Sequence, residues 1–240
     1  MIPLLGNWTN YAPADFLLFS SEVYVRQFVL YNEAVWPMQF AALVAGAIVL
    51  YTVAQPAPTS GKWRLAYVIA AVAWAIVGWF YMWLRYGEIN WAAYYVAPAF
   101  GVEAALLLWL ALRPPPAGYS SRLIRHSATG LGIVALLIYP MMAGLAGRPW
   151  QGGEIFALMP DPTAILTLAL LIPARGWLAA AARIIPLLWC LASAATLWVL
   201  GPAAFWAEPW LMPALAIAAV ILGAYAGPFA GQGDRNDRRS

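Results

Sequence analysis

Trp91–Leu112 reads WAAYYVAPAFGVEAALLLWLAL, twenty-two residues that carry a single charge, Glu103. As an α-helix this stretch is about 33 Å long at 1.5 Å per residue, enough to cross the roughly 30 Å hydrocarbon core of a bilayer. The rest of the chain has the same character. Of 240 residues, 64% are hydrophobic and 10% charged, against about 45–50% and about 25% in a soluble domain. A water-soluble fold could not hide that much apolar surface, whereas a bilayer favours it and requires helices that satisfy their own backbone hydrogen bonds.

Working outward, six further apolar stretches are long enough to span: Trp36 to Ala54, Trp63 to Leu84, Leu123 to Ala146, Pro162 to Ala180, Ile184 to Leu200 and Trp210 to Phe229. Between the seven lie short segments rich in proline, glycine and charge, Gln55–Lys62, Arg85–Asn90, Arg113–Arg122, Gly147–Asp161 and Gly201–Glu208, which read as loops. This layout places ten Lys and Arg on one side (Lys62, Arg64, Arg113, Arg122, Arg125, Arg175, Arg183, Arg235, Arg238 and Arg239) and three on the other (Arg26, Arg85 and Arg148). Cytoplasmic loops carry the excess of positive charge, so the N-terminus is expected outside and the C-terminus in the cytoplasm. Trp36, Trp63, Trp91 and Trp210 stand where spans begin, at the headgroup level that tryptophan prefers.

The expected fold is therefore all-α: a polytopic membrane helix bundle of about seven transmembrane helices. Residues 1–35 form an outer interfacial segment, 36–229 the transmembrane domain and 230–240 a flexible cytoplasmic tail. Within the first segment, residues 15–30 mix Phe16, Leu17, Val23 and Phe28 with Ser20, Ser21, Glu22 and Arg26, as an amphipathic helix lying along the outer interface would. The first sixteen residues hold no Lys or Arg, so the first span is expected to do the targeting itself.

Several function classes are excluded. A net charge of +3 from scattered carriers does not suit nucleic acid. One cysteine, Cys190, rules out an intramolecular disulfide and a cysteine-cluster metal site. One histidine, His126, rules out bis-histidine haem within the chain and argues against a histidine-built metal site. The one lysine, Lys62, lies in a loop and not in a span where a Schiff base would sit. No nucleotide-binding glycine loop, nucleophile elbow or metalloprotease motif occurs. No cofactor is expected, and enzymatic acid–base work would fall to carboxylates alone.

Three patches carry a family resemblance: YNEAVWP at Tyr31–Pro37, GWFYMWLRYGEINWAAYYVAPAFGVEAALLLW at Gly78–Trp109 and MPDPTAILTLALL at Met159–Leu171. Together they resemble DUF6064, a family of bacterial multi-span membrane proteins of unknown function. The matching positions are Tyr31, Asn32, Trp36 and Pro37, then Ile89 and Asn90, then Pro160, Pro162 and Thr167. The resemblance implies a bacterial inner-membrane location and leaves the activity open.

Two groups of residues could carry function. Glu103 falls near the middle of the third span, where an ionised carboxylate costs at least about 3 kcal/mol, so it should face the protein interior or hold a proton. It is the candidate intramembrane proton or ion site. The second group lies outside: Asn32, Glu33, Asn90, Arg148, Glu154 and Asp161, which could converge into an acidic, outward-facing pocket for a cation or amine. The segment Gly147–Thr163, GRPWQGGEIFALMPDPT, has an apolar centre able to dip back into the bilayer where protein shields its backbone. Asp161 ahead of Pro162 also reads as a helix cap.

The function expected is small-molecule or ion handling across the membrane, through the third span and the outer loop. The alternative is a structural or accessory subunit of a larger membrane complex. Partners are the lipid bilayer and, in an assembly, another membrane protein or a second copy of the chain.

Overall fold

The computed structural model describes residues 19–114, 122–145, 147–200 and Ile217. Among these residues the secondary structure is helical: α1 (Ser21–Ala34), α2 (Met38–Ala54), α3 (Ser60–Ile89), α4 (Ala93–Leu112), α5 (Arg122–Leu145), α6 (Pro160–Leu171) and α7 (Trp177–Leu200), with a 3-10 turn at Trp150–Gly152. Four of them, α3, α4, α5 and α7, are long and apolar enough to cross a membrane, and α1 with α2 makes a fifth if that pair, bent by 97°, counts as one span. Large apolar side chains such as Tyr95, Leu112, Trp177 and Trp198 stand exposed on the outside of the bundle, a surface that lipid covers and water would not tolerate.

The expected count of seven is not what the described residues show. The expected span Pro162–Ala180 breaks at Leu171, the end of the twelve-residue helix that starts at Pro160, because Pro173 and Gly176 interrupt it. Gly176 sits at φ +100°, a backbone region that favours glycine, and Trp177–Ala180 then belongs to α7. At 1.5 Å per residue α6 is about 18 Å long, roughly half a bilayer core. The expected loop Arg85–Asn90 is helical as far as Ile89, the end of the 30-residue α3. The seventh expected span, Trp210–Phe229, the tail 230–240 and residues 1–18 of the interfacial segment lie outside the described residues.

Local sequence explains the starts. Ser20 caps α1 by accepting the Val23 amide at 3.4 Å, and Thr59 caps α3 by accepting that of Lys62 at 3.4 Å. In α1, Tyr24, Phe28 and Tyr31 recur at helical spacing and are buried, while Glu22, Arg26 and Glu33 face outward.

Helix α6 is buried along its whole length and packs against α2, α3, α5 and α7. Its sequence, apolar on every side, suits an enclosed helix with no lipid or water face. Trp74 of α3 donates to Thr167 of α6 at 2.9 Å and packs 4.6 Å from the Phe100 ring of α4. Gly78 lets α3 and α4 approach, since a Cβ there would meet Phe100 Cβ at 2.8 Å. Trp109 near the end of α4 meets Trp177 at the start of α7 (5.7 Å), so these two ends lie together. They gather Arg113 and Arg175 at one end of the bundle, with Arg183 two turns further into α7.

Candidate functional site

At the opposite end, the chain between α5 and α6 folds into the bundle. Gly152 to Met159 is buried apart from a half-buried Ile155, with Phe156 and Met159 wholly so. Asn32 of α1 fastens this segment by donating to the carbonyls of Gln151 (2.6 Å) and Gly153 (2.8 Å). Ala157 adopts φ +64°, a strained region for a residue with a Cβ, and its amide is held by Thr163 Oγ1 at 2.9 Å. That hydroxyl donates in turn to the Met159 carbonyl at 2.7 Å. Pro160 then opens α6, where a missing amide hydrogen costs nothing.

Asp161 lies in the first turn of α6 and is 3% exposed. It does not cap the helix: Met159 occupies the cap position and offers no side-chain bond. Its carboxylate instead accepts three hydrogen bonds, from Tyr139 of α5 (2.8 Å), Trp189 of α7 (2.6 Å) and Ser193 of α7 (2.6 Å). Three donors around an acceptor-only group, beside the positive end of a helix, form a setting for negative charge. Asp161 thus ties α5, α6 and α7 together.

Next to this knot is a cavity of about 200 Å³. Its wall includes Tyr24 and Phe28 from α1, Tyr81 and Tyr86 from α3, Asn90 and the first residues of α4, Glu154 and Pro160, and Trp189 and Ser193 from α7. Residues 77–86 of α3 form a π-helix, whose i to i+5 repeat puts Tyr81 and Tyr86 on one face, stacked 6.1 Å apart. Tyr24 meets Phe28 edge-on at 4.9 Å, and Phe28 stacks on Tyr81 at 6.2 Å. Glu154 is 6% exposed, and among the described residues its carboxylate accepts no hydrogen bond. Burial, then the nearby Asp161 carboxylate, push its acid well above the ordinary range, and Arg148 pulls it back. Burial lowers the Arg148 guanidinium from its usual value, with Glu154 opposing that shift.

The six outer residues do not share one pocket. Asn90 and Glu154 line this cavity and Asp161 stands behind its wall. Asn32 and Glu33 instead line a wide depression of about 660 Å³ with Trp36, Gln39, Trp150, Gln151 and Ile155. Arg148 belongs to the wall of neither. Glu103 is wholly buried on α4, neither of its oxygens has a hydrogen-bond partner among the described residues, and it lines neither cavity. No group of three or more His, Cys, Asp or Glu able to hold a metal occurs among the described residues.

Sequence reasoning missed the aromatic wall and the three donors around Asp161. Tyr24, Tyr81, Tyr86, Trp189 and Ser193 are ordinary residues for apolar helices, and the π turn that aligns two of them leaves no clear sequence signal.

A family model covers this architecture from the first described helix onward, matching residues 21–225. The chain belongs to the DUF6064 family. The family's description is of unknown function. No curated protein and no solved structure matches the chain. In this DUF6064 member the three patches that carry the resemblance all reach the site: Asn32 fastens the buried loop, Asn90 lines the cavity, and Pro160 opens α6 beneath it.

Proposed function

We propose that this protein binds a small molecule or ion within the membrane bundle and handles it across the bilayer, with the cavity at Glu154 as the binding site and the arginine-rich end in the cytoplasm. The observation that carries the reading is Glu154 itself, a buried carboxylate that faces a cavity without a hydrogen-bond donor. Buried polar groups are ordinarily hydrogen-bonded, so an open cavity beside an unbonded one calls for an occupant. The half-length α6 supports it, because broken helices whose ends meet a site at mid-bundle are a device of transport proteins. Glu103 is the second member of the proposal, a proton-bearing group deeper in the bundle. Among the described residues its carboxyl makes no hydrogen bond that would explain its presence as a structural group.

The test is a thermal-shift screen of the purified protein in detergent against small organic cations, anions and neutral solutes. A ligand that raises the midpoint of the wild type and not of Glu154→Gln supports the reading, since a molecule that binds the folded state stabilises it. A screen in which no solute distinguishes the two proteins ends it. For Glu103, the expected outcome of Glu103→Gln is a normal folded yield with loss of any pH dependence of uptake into proteoliposomes. Uptake with an unchanged pH profile removes Glu103 from the proposal.

A further inference from the structure

We propose that the cavity is built for a small organic cation, an alkylammonium group, with Glu154 as its counter-ion and the rings of Tyr24, Phe28, Tyr81 and Tyr86 as its cage. The inference rests on the small-molecule reading above and names the ligand class that the walls select.

Three features of the cavity point the same way. Among the described residues no lysine, arginine or histidine lines it, so none of them meets an anion with positive charge. The polar hydrogens of α7 on that wall are already committed: Trp189 and Ser193 donate to Asp161, and Thr196 donates to the Ala192 carbonyl at 2.9 Å. Beside the Asn90 amide and the tyrosine hydroxyls, the wall offers the Glu154 carboxylate, buried yet without a hydrogen bond from any described residue, and a set of aromatic rings. Aromatic faces carry partial negative charge and attract ammonium groups, and cages of such rings recognise choline-like and methylated ammonium ligands.

The charges around the cavity agree. Asp161 has three donors and a helix N-terminus that favour its charged form, whereas among the described residues Glu154 has the longer-range influence of Arg148, which is not part of the wall. A cationic guest supplies the missing partner at the place where the carboxyl is open, and Glu154 releases its proton to solvent as the guest enters. Size sets the limit: about 200 Å³ is somewhat more than the ~150 Å³ cavity that takes up a benzene ring, which admits a trimethylammonium head and excludes a large drug-like molecule.

The experiment uses the full chain in detergent and two probes of one shape, choline chloride and its neutral carbon isostere 3,3-dimethylbutan-1-ol, at matched ionic strength. Thermal midpoints are followed as each is titrated into the wild type, Glu154→Gln and Tyr86→Leu. Choline is expected to stabilise the wild type at a concentration at least about tenfold lower than the isostere, with the preference lost in Glu154→Gln and weakened in Tyr86→Leu. Should Glu154→Gln fail to fold, the wild-type preference between the two probes still decides. Equal response to both probes overturns the cation assignment and leaves the small-molecule reading standing. A response to anions or neutral solutes in the broader screen with none to choline does the same, and silence toward every solute removes both.

Discussion

Asp161 and Glu154 are seven residues apart, both buried, and held in opposite ways. Asp161 is surrounded by donors, which favour its charged form against the burial that opposes it. Replacing it by Asn keeps the shape and turns one oxygen into a donor facing other donors. Asp161→Asn is expected to lower stability by about 1.5–3 kcal/mol, the worth of a hydrogen bond to a charged group, measured by thermal or chemical melting in detergent. Glu154 has no such shell. The groups that interact with it electrostatically are Asp161 from α6, Tyr24 from α1, Tyr81 from α3, Tyr139 from α5 and Arg148 on its own segment. The unfolded chain ionises Glu154 near 4.5, and in the folded chain burial and Asp161 raise that value well above it. Between the two values the folded state holds the extra proton, so this group's contribution to stability falls as pH rises. Glu154→Gln removes that slope, and its midpoint relative to wild type is expected to climb as pH rises above the ordinary carboxyl value of 4.5. A constant difference above that value would show that Glu154 ionises normally.

At the scale of elements, α6 is the unusual member, a half-length helix sealed among four others. Its first turn presents Asp161 to donors from α5 and α7. At its far end, Arg183 of α7 donates through one nitrogen to the carbonyls of Leu171 and Ala174, each at 2.6 Å. Those carbonyls belong to the end of a helix and to the turn after it, where amide partners run out and positive charge is favoured. Side chains of α7 thus hold α6 at both ends: Trp189 and Ser193 grip the Asp161 carboxylate in its first turn, and Arg183 satisfies carbonyls at its far end. Arg183→Ala is expected to cost about 1.5–3 kcal/mol, seen as a lower melting midpoint. Arg183→Lys should recover only part of that, because an ammonium does not reproduce the planar fork of donors.

For the whole molecule, orientation is the property to test. Cys190 is buried, so the natural protein gives little background to thiol reagents. Trp150 is exposed on the loop side and Arg113 is exposed at the arginine-rich end. A cysteine at Trp150→Cys is expected to react with an impermeant maleimide in intact cells, and one at Arg113→Cys only after lysis. The reverse pattern would place the cavity on the cytoplasmic side and invert the direction of the proposed function.

Membrane character, helical class and the positions of α3, α4 and α5 were legible in the chain, because length, apolar composition and charge placement are local properties that the bilayer reads directly. Glu103 was legible for the same reason: one acid in an apolar span is conspicuous. The break of Pro162–Ala180 was only half visible, since a buried half-helix followed by a turn has the composition of a span. The function of Asp161 was hidden as well. A cap and a three-donor knot begin with the same Asp-Pro pair, and only the approach of Tyr139, Trp189 and Ser193 from distant parts of the chain separates them. What the linear order of residues determined is where apolar length exceeds the thickness of a membrane. Which polar groups meet inside was decided by packing, because hydrogen bonds and ring contacts depend on distances that helices acquire only once they are folded together.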